Sequence, residues 1–275
     1  ITDMTQRVEK ILQHLKSQPT KGRIYILITG TSRGIGYELV KQYINHDACN
    51  CVIATARNCA NVGKLKKLKQ LYGDQVILED MDVSDEGSII RAKERIMNIT
   101  DNIDILINNA GISNDNHPWE GILTADTDEM MKILKTNTVG THLVTKHFFS
   151  LMNNKDVRNV VLNVSSGLGS IYGIKDRLIK RRFGEKGMPY SYCVSKAGVN
   201  MITRCYGFEL GRKYNIIFCT LSPGWVNTDM GSSYGKRKSN KMQSMISVEY
   251  CASSIIKFIN NMDMDSHNGM FYDYK

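Results

Sequence analysis

The sequence predicts an α/β fold, a doubly wound parallel sheet of about seven strands with helices on both faces. Three observations carry this. Runs such as Ile24-Tyr25-Ile26-Leu27-Ile28 and Ile216-Ile217-Phe218-Cys219-Thr220-Leu221 are almost continuously apolar, as in strands buried on both faces. Helical segments separate these runs, which is what parallel strands require of their connections. The first run also passes through a glycine-rich turn, Thr29-Gly30-Thr31-Ser32-Arg33-Gly34-Ile35-Gly36, into the helical stretch that begins at Tyr37.

Taken in order, Met4, Val8, Ile11, Leu12 and Leu15 fall at helical spacing, so residues 1–22 are expected to be an N-terminal amphipathic helical extension. The sheet domain is expected over 23–275. After the first strand and helix, Cys51 to Ala56 is the second strand, ending at Arg57, and Val62 to Leu71 a lysine-rich helix. Val76 to Leu78 is the third strand, closed by Asp80-Met81-Asp82-Val83, and Glu86 to Ile99 its crossover helix. Ile103 to Ile107 forms the fourth strand, Thr127 to Met152 one long helix, and Val160 to Val164 the fifth strand. A helix from Ser191 to Tyr214 leads to the sixth strand, Ile216 to Leu221. A substrate loop rich in Gly, Ser and Lys follows at about 224–247, then a helix from Val248 to Asn260 and a last strand at Gly269 to Tyr272.

No linker-like tract interrupts the 275 residues, so one sheet domain is expected. No apolar run is long enough to span a bilayer and the first residues lack a secretory pattern, so the expectation is a cytoplasmic protein with no membrane partner. The net charge of +9 is spread over many elements without interleaved aromatics, which argues against nucleic acid as a partner. Seven cysteines without CxxC spacing read as reduced thiols, and His142 and His147 do not share a helix face, so no metal site is expected. Basic residues concentrate at Lys175, Arg177, Lys180, Arg181, Arg182 and Lys186, and again at Lys236, Arg237, Lys238 and Lys241. They read either as solvated loops or as a positive rim that steers an anionic cofactor or substrate into the cleft.

The strand-turn-helix unit is a Rossmann-type dinucleotide cradle. Gly30 permits the tight turn, Gly34 lets the backbone approach a pyrophosphate, Gly36 brings the helix close to the strand, and the helix N-terminus offers N–H donors to phosphate. The second strand ends in Ala56-Arg57 and not in the acid that NAD(H) favours. Arg33 and Arg57 can instead converge on a 2′-phosphate, so the expected cofactor is NADP(H). Tyr192 and Lys196 stand four residues apart on one helix face, where an ammonium lowers the pKa of a phenol from about 10. Tyr190 lies off that face. Met188 and Met230 are placed where a pocket wall can be.

These motifs, with Asp82-Val83, Asn108-Asn109-Ala110-Gly111, Asn137, Ser165-Ser166, Tyr192-Cys193-Val194-Ser195-Lys196 and Ser222-Pro223-Gly224-Trp225-Val226-Asn227-Thr228-Asp229-Met230, resemble the short-chain dehydrogenase/reductase family over nearly the whole chain. Within it they are most similar to the sniffer-like and C-factor-like carbonyl reductases. The resemblance implies catalytic roles for Asn137, Ser166, Tyr192 and Lys196: Tyr192 as proton donor, Ser166 on the substrate oxygen, Lys196 on the nicotinamide ribose, Asn137 holding a water of the proton relay. It implies cofactor contacts from Gly30, Ser32, Arg33, Gly34, Ile35, Gly36, Arg57, Asp82, Val83, Asn109, Ala110, Gly111, Pro223, Gly224, Val226 and Thr228, besides Tyr192 and Lys196. Ser166 is preferred to Ser165 because residues alternate across a strand end. The expected activity is NADPH-dependent reduction of a small-molecule aldehyde or ketone, with an NADP(H)-binding sensor as the alternative. The separation of Ser166 from Tyr192 is longer than usual in the family, which puts the homodimer in doubt.

Overall fold

The computed structural model describes residues 22–46, 50–114, 121–152, 158–174, 188–233 and 245–274. The expected N-terminal helix and both basic runs lie outside the described residues.

In chain order the main elements are β1 (Ile24–Thr29), α1 (Gly34–His46), β2 (Asn50–Ala56), α2 (Gly63–Tyr72), β3 (Val76–Asp80), α3 (Glu86–Met97), β4 (Ile105–Asn108), α4 (Thr127–Leu134), α5 (Gly140–Phe148), β5 (Asn159–Val164), α6 (Tyr190–Tyr206), β6 (Ile216–Ser222), α7 (Val248–Asn260) and β7 (Met270–Asp273). The seven strands form one sheet in the order β3-β2-β1-β4-β5-β6-β7, every neighbouring pair parallel. Alternation along β1 explains its unbroken apolarity. Ile26 and Ile28 face the side covered by α1, α2 and α7, where Leu39, Leu65 and Ile255 are buried. Leu27 faces the other side, against Ile89 and Ile96 of α3 and Val144 and Phe148 of α5.

Several helix starts are fixed by acids or hydroxyls in the preceding residue. Asp85, Asp126 and Ser247 accept hydrogen bonds from the first-turn N–H groups of α3, α4 and α7. Two expected long helices are broken. Between α4 and α5 the chain widens into a π turn at Lys135–Val139, and α6 gives way to another at Gly207–Gly211 before a final helical turn at Arg212–Tyr214. In the first, Thr141 Oγ1 donates to the Asn137 carbonyl at 2.7 Å, and Thr145 Oγ1 to the Thr141 carbonyl at 2.8 Å, back-bonding of the kind that bends helices. The second packs close to the chain before β7, where a Cβ on Gly207 would stand 2.6 Å from Gly269 Cα. Asn215, at φ 54°, ends the segment in the left-handed region.

A buried polar ladder ties the sheet to the helix that carries Tyr192. Asn108 Nδ2 donates to Asn163 Oδ1 at 2.8 Å and to Thr145 Oγ1 at 3.0 Å, and Asn163 Nδ2 donates to Thr203 Oγ1 at 2.8 Å. The ladder crosses β4, β5, α5 and α6, so each of these buried amides is satisfied only in this register.

Candidate active site

The chain leaves β1 toward β2 on one side and β4 lies on the other, so the sheet order reverses beside β1. A cleft of about 1680 Å³ runs along the carboxyl ends of the strands at this point. Its nucleotide half is built by close backbone approach. Gly30, at φ 70°, would place a Cβ 2.7 Å from Ala110 Cα, and a Cβ on Gly36 would collide with the Gly30 carbonyl. Thr29 Oγ1 accepts from Asn109 N and Ala110 N at 3.0 and 2.9 Å, while Asn109 Nδ2 donates back to the carbonyls of Thr29 and Gly30. The end of β4 and the glycine turn are therefore clamped together, and the first turn of α1 opens onto the cleft with the unpaired N–H groups of a helix start.

Ser32, Arg33, Gly34 and Ile35 line this half, facing Asn109, Ala110 and Gly111, with Asp82 and Val83 at its side. Gly36 stands behind the lining. Asp82 Oδ1 accepts from Ser84 N and Oγ, which fixes the loop after β3. Arg33 and Arg57 both line the cleft, and Lys64 in the first turn of α2 joins them. Arg33 Nη1 meets Asp229 Oδ2 of the opposite rim at 3.5 Å. Lys64 Nζ sits 4.3 Å above the Tyr37 ring, and neither it nor Arg57 has an acidic partner among the described residues. Sequence reading missed Lys64. Its signal was a lysine opening the helix after Arg57, legible only once α2 is known to start beside α1.

The other half gathers Ser166, Tyr192, Lys196 and the Pro223–Thr228 loop. Tyr192 and Lys196 share one face of α6, with Nζ 5.7 Å from the centre of the phenol ring. Lys196 is buried and Nζ donates to the Val164 carbonyl at 2.8 Å; burial pushes its pKa down to about 8. Ser165 Oγ is occupied by Asn200 Oδ1 at 2.7 Å. Ser166 Oγ accepts from Leu168 N at 3.2 Å and has its own proton to offer. Asn137 lies behind the cleft wall, fully buried, and Gly111 is the residue between it and Lys196: a Cβ there would stand 3.3 Å from Asn137 Oδ1 and 3.6 Å from Lys196 Nζ. Asn137 Nδ2 donates to Ser195 Oγ at 3.0 Å, and Ser195 Oγ donates to the Tyr192 carbonyl at 2.7 Å. Ser195 is a second residue the sequence did not single out.

Pro223, Gly224, Val226 and Thr228 line the cleft opposite the glycine turn. Thr228 Oγ1 accepts from Gly231 N, and Trp225 Nε1 donates to the Gly231 carbonyl, which together curl the loop. Met230 lines the cleft, whereas Met188 and Tyr190 do not. Among the described residues no group of His, Cys, Asp or Glu is arranged to hold a metal ion, and no helix is long and apolar enough to cross a membrane.

Fold and cleft define a dinucleotide-binding protein of the doubly wound class. The sequence profile of the short chain dehydrogenase family matches residues 25–239, and the chain belongs to that family. It is 30% identical over 261 residues, 92% of this chain and 95% of the relative, to an uncharacterized oxidoreductase of Schizosaccharomyces pombe. An NADPH-bound carbonyl reductase from chicken fatty liver superposes with a TM-score of 0.78 at 27% identity, over 92% of this chain and 97% of its own. The carbonyl reductase Sniffer of Drosophila melanogaster gives a TM-score of 0.78 at 25% identity with the same coverage.

Proposed function

We propose that the protein is an NADP(H)-dependent carbonyl reductase that converts an aldehyde or ketone to an alcohol. The observation that carries this is the Tyr192–Lys196 pair, one helix face in the floor of the cleft that also holds the glycine cradle and three unmatched or exchangeable cations. The residues present fit a 2′-phosphorylated dinucleotide: the turn leaves no room for side chains at Gly30 and Gly36, and Arg33, Arg57 and Lys64 offer charge to the phosphate. When bound, NADPH supplies the hydride.

The chain's own residues orient the carbonyl and move a proton. Ser166 Oγ–H and the Tyr192 phenol hydrogen-bond the substrate oxygen, and Tyr192 donates its proton as negative charge develops there. Lys196 stays largely protonated at neutral pH with its pKa near 8, and a desolvated ammonium acts strongly on a nearby phenol. One Nζ proton is held by Val164, which leaves two for the ribose and the relay. Because the Asn137 side chain is engaged by Ile112 and Ser195, a relay water is held by the main chain of the widened turn, and the side chain acts by position. The test is loss of NADPH absorbance with a panel of aromatic and aliphatic carbonyl compounds. Turnover is expected with at least one; NADPH binding without oxidation of any would return the protein to a sensor.

A further inference from the structure

Strand pairing decides what faces the substrate end of the cleft. In β7 Phe271 lies beside Thr220 and Asp273 beside Ser222. Both Phe271 and Asp273 line the cleft, while the intervening Tyr272 packs in the core against Phe258 and His267. Gly167 N donates to Ser222 Oγ at 3.0 Å, and a Cβ on Gly167 would stand 3.6 Å from Asp273 Oδ2. This carboxylate therefore sits beside the residue that follows Ser166.

Asp273 is exposed and has no side-chain hydrogen bond or ion pair among the described residues, and the apolar residues that line the same cleft include Leu168, Ile174, Trp225, Met230 and Phe271. Of the cations lining the cleft, Arg33, Arg57 and Lys64 belong to the nucleotide end, Lys132 is paired with Glu129, and Lys196 is held by Val164. The other acid on the substrate side, Asp229, is already engaged by Arg33.

We infer that the preferred substrate is a carbonyl compound that carries a protonated amine, with Asp273 pairing the ammonium and the apolar walls taking the carbon skeleton. This rests on the carbonyl-reductase reading and names its substrate class. An exposed carboxylate in the cleft lining attracts an ammonium and repels an anionic substrate, so it discriminates by charge at one position.

The matched probes are para-aminomethyl acetophenone and para-ethyl acetophenone, which differ by an ammonium in place of a methyl group. The quantity read is the ratio of their kcat/KM values in the wild type, Asp273→Asn and Asp273→Lys. The wild type is expected to favour the amine, and Asp273→Asn to lower the ratio by about two- to five-fold, the scale of one exposed ion pair. Asp273→Lys is expected to lower it further and to raise turnover of para-carboxymethyl acetophenone. A ratio untouched by either substitution overturns the inference alone. A wild type that reduces neither probe nor any other carbonyl compound overturns the carbonyl-reductase reading, and the inference with it.

Discussion

Asn137 and Ile112 exchange two hydrogen bonds of 2.8 Å each: Ile112 N donates to Asn137 Oδ1, and Asn137 Nδ2 donates to the Ile112 carbonyl. A side-chain amide thus pairs with a peptide group as a neighbouring strand would. The pair locks the loop after β4 to the widened turn, and the further bond to Ser195 passes that restraint to the second turn of α6.

Replacing Asn137 with Asp keeps the shape but sets an acceptor against the Ile112 carbonyl. Asn137 is 0% exposed, so the lost bond and the repulsion are expected to cost about 1–3 kcal/mol. Thermal unfolding should show it as a fall in Tm, and turnover should fall with kcat more affected than cofactor affinity. An unchanged Tm would mean that the pairing contributes nothing to the fold.

Tyr192→Phe removes the proposed acid and little else. Turnover is expected to fall by about 100-fold or more, with NADPH binding retained in a fluorescence titration. Tyr190→Phe serves as the comparison, since Tyr190 does not line the cleft. If the two variants behaved alike, the proton would have to come from elsewhere.

Much of this was legible in the sequence for a physical reason. Strands buried on both faces are apolar at nearly every position, the buried Asn108, Asn163 and Thr220 being exceptions, so Ile24 to Ile28 or Ile216 to Leu221 declare themselves without a partner in view. The glycine turn is equally plain, because its residues are dictated by backbone clearance. The π turns at Lys135 and Gly207 were not legible, since they preserve helical period on either side. Lys64 and Asp273 were hidden for another reason: one depends on α2 starting beside Tyr37, the other on β7 pairing with β6 in a register that carries Asp273 to Gly167. Neither fact is local.

Lys196 also sets a pH dependence of stability. Its pKa is lowered from 10.5 to about 8 by burial, so between these values the unfolded chain holds a proton that the folded chain has released. Stability rises with pH wherever the unfolded state binds more protons. Below pH 8 the full penalty of burying the ammonium is present; it is relieved as pH climbs toward 10.5. Without cofactor, the wild type is expected to gain up to about 3 kcal/mol on Lys196→Met across that window, whatever constant offset separates them. Urea unfolding of both proteins at several pH values measures it, and parallel curves would show that the amine is not desolvated.

The cations at the nucleotide end give the last prediction. Arg57 and Lys64 have no acidic partner among the described residues, whereas Arg33 is engaged by Asp229 across the cleft and must exchange that carboxylate for a phosphate. An exposed ion pair of this kind holds only weakly, so the exchange is easy. Each cation is therefore expected to favour NADP(H) over NAD(H), with Arg57 worth the most because its fork can bind phosphate through two bonds. In calorimetric titrations, Arg57→Ser should weaken NADP⁺ by about 10-fold or more and Lys64→Ser by a few-fold, with NAD⁺ affinity nearly unchanged. Asp229→Asn should strengthen NADP⁺ modestly, because it frees Arg33. All three effects should shrink as salt is raised, since the groups are exposed and screened. Equal losses for both dinucleotides would place these side chains against the pyrophosphate they share and not against the 2′-phosphate that distinguishes them.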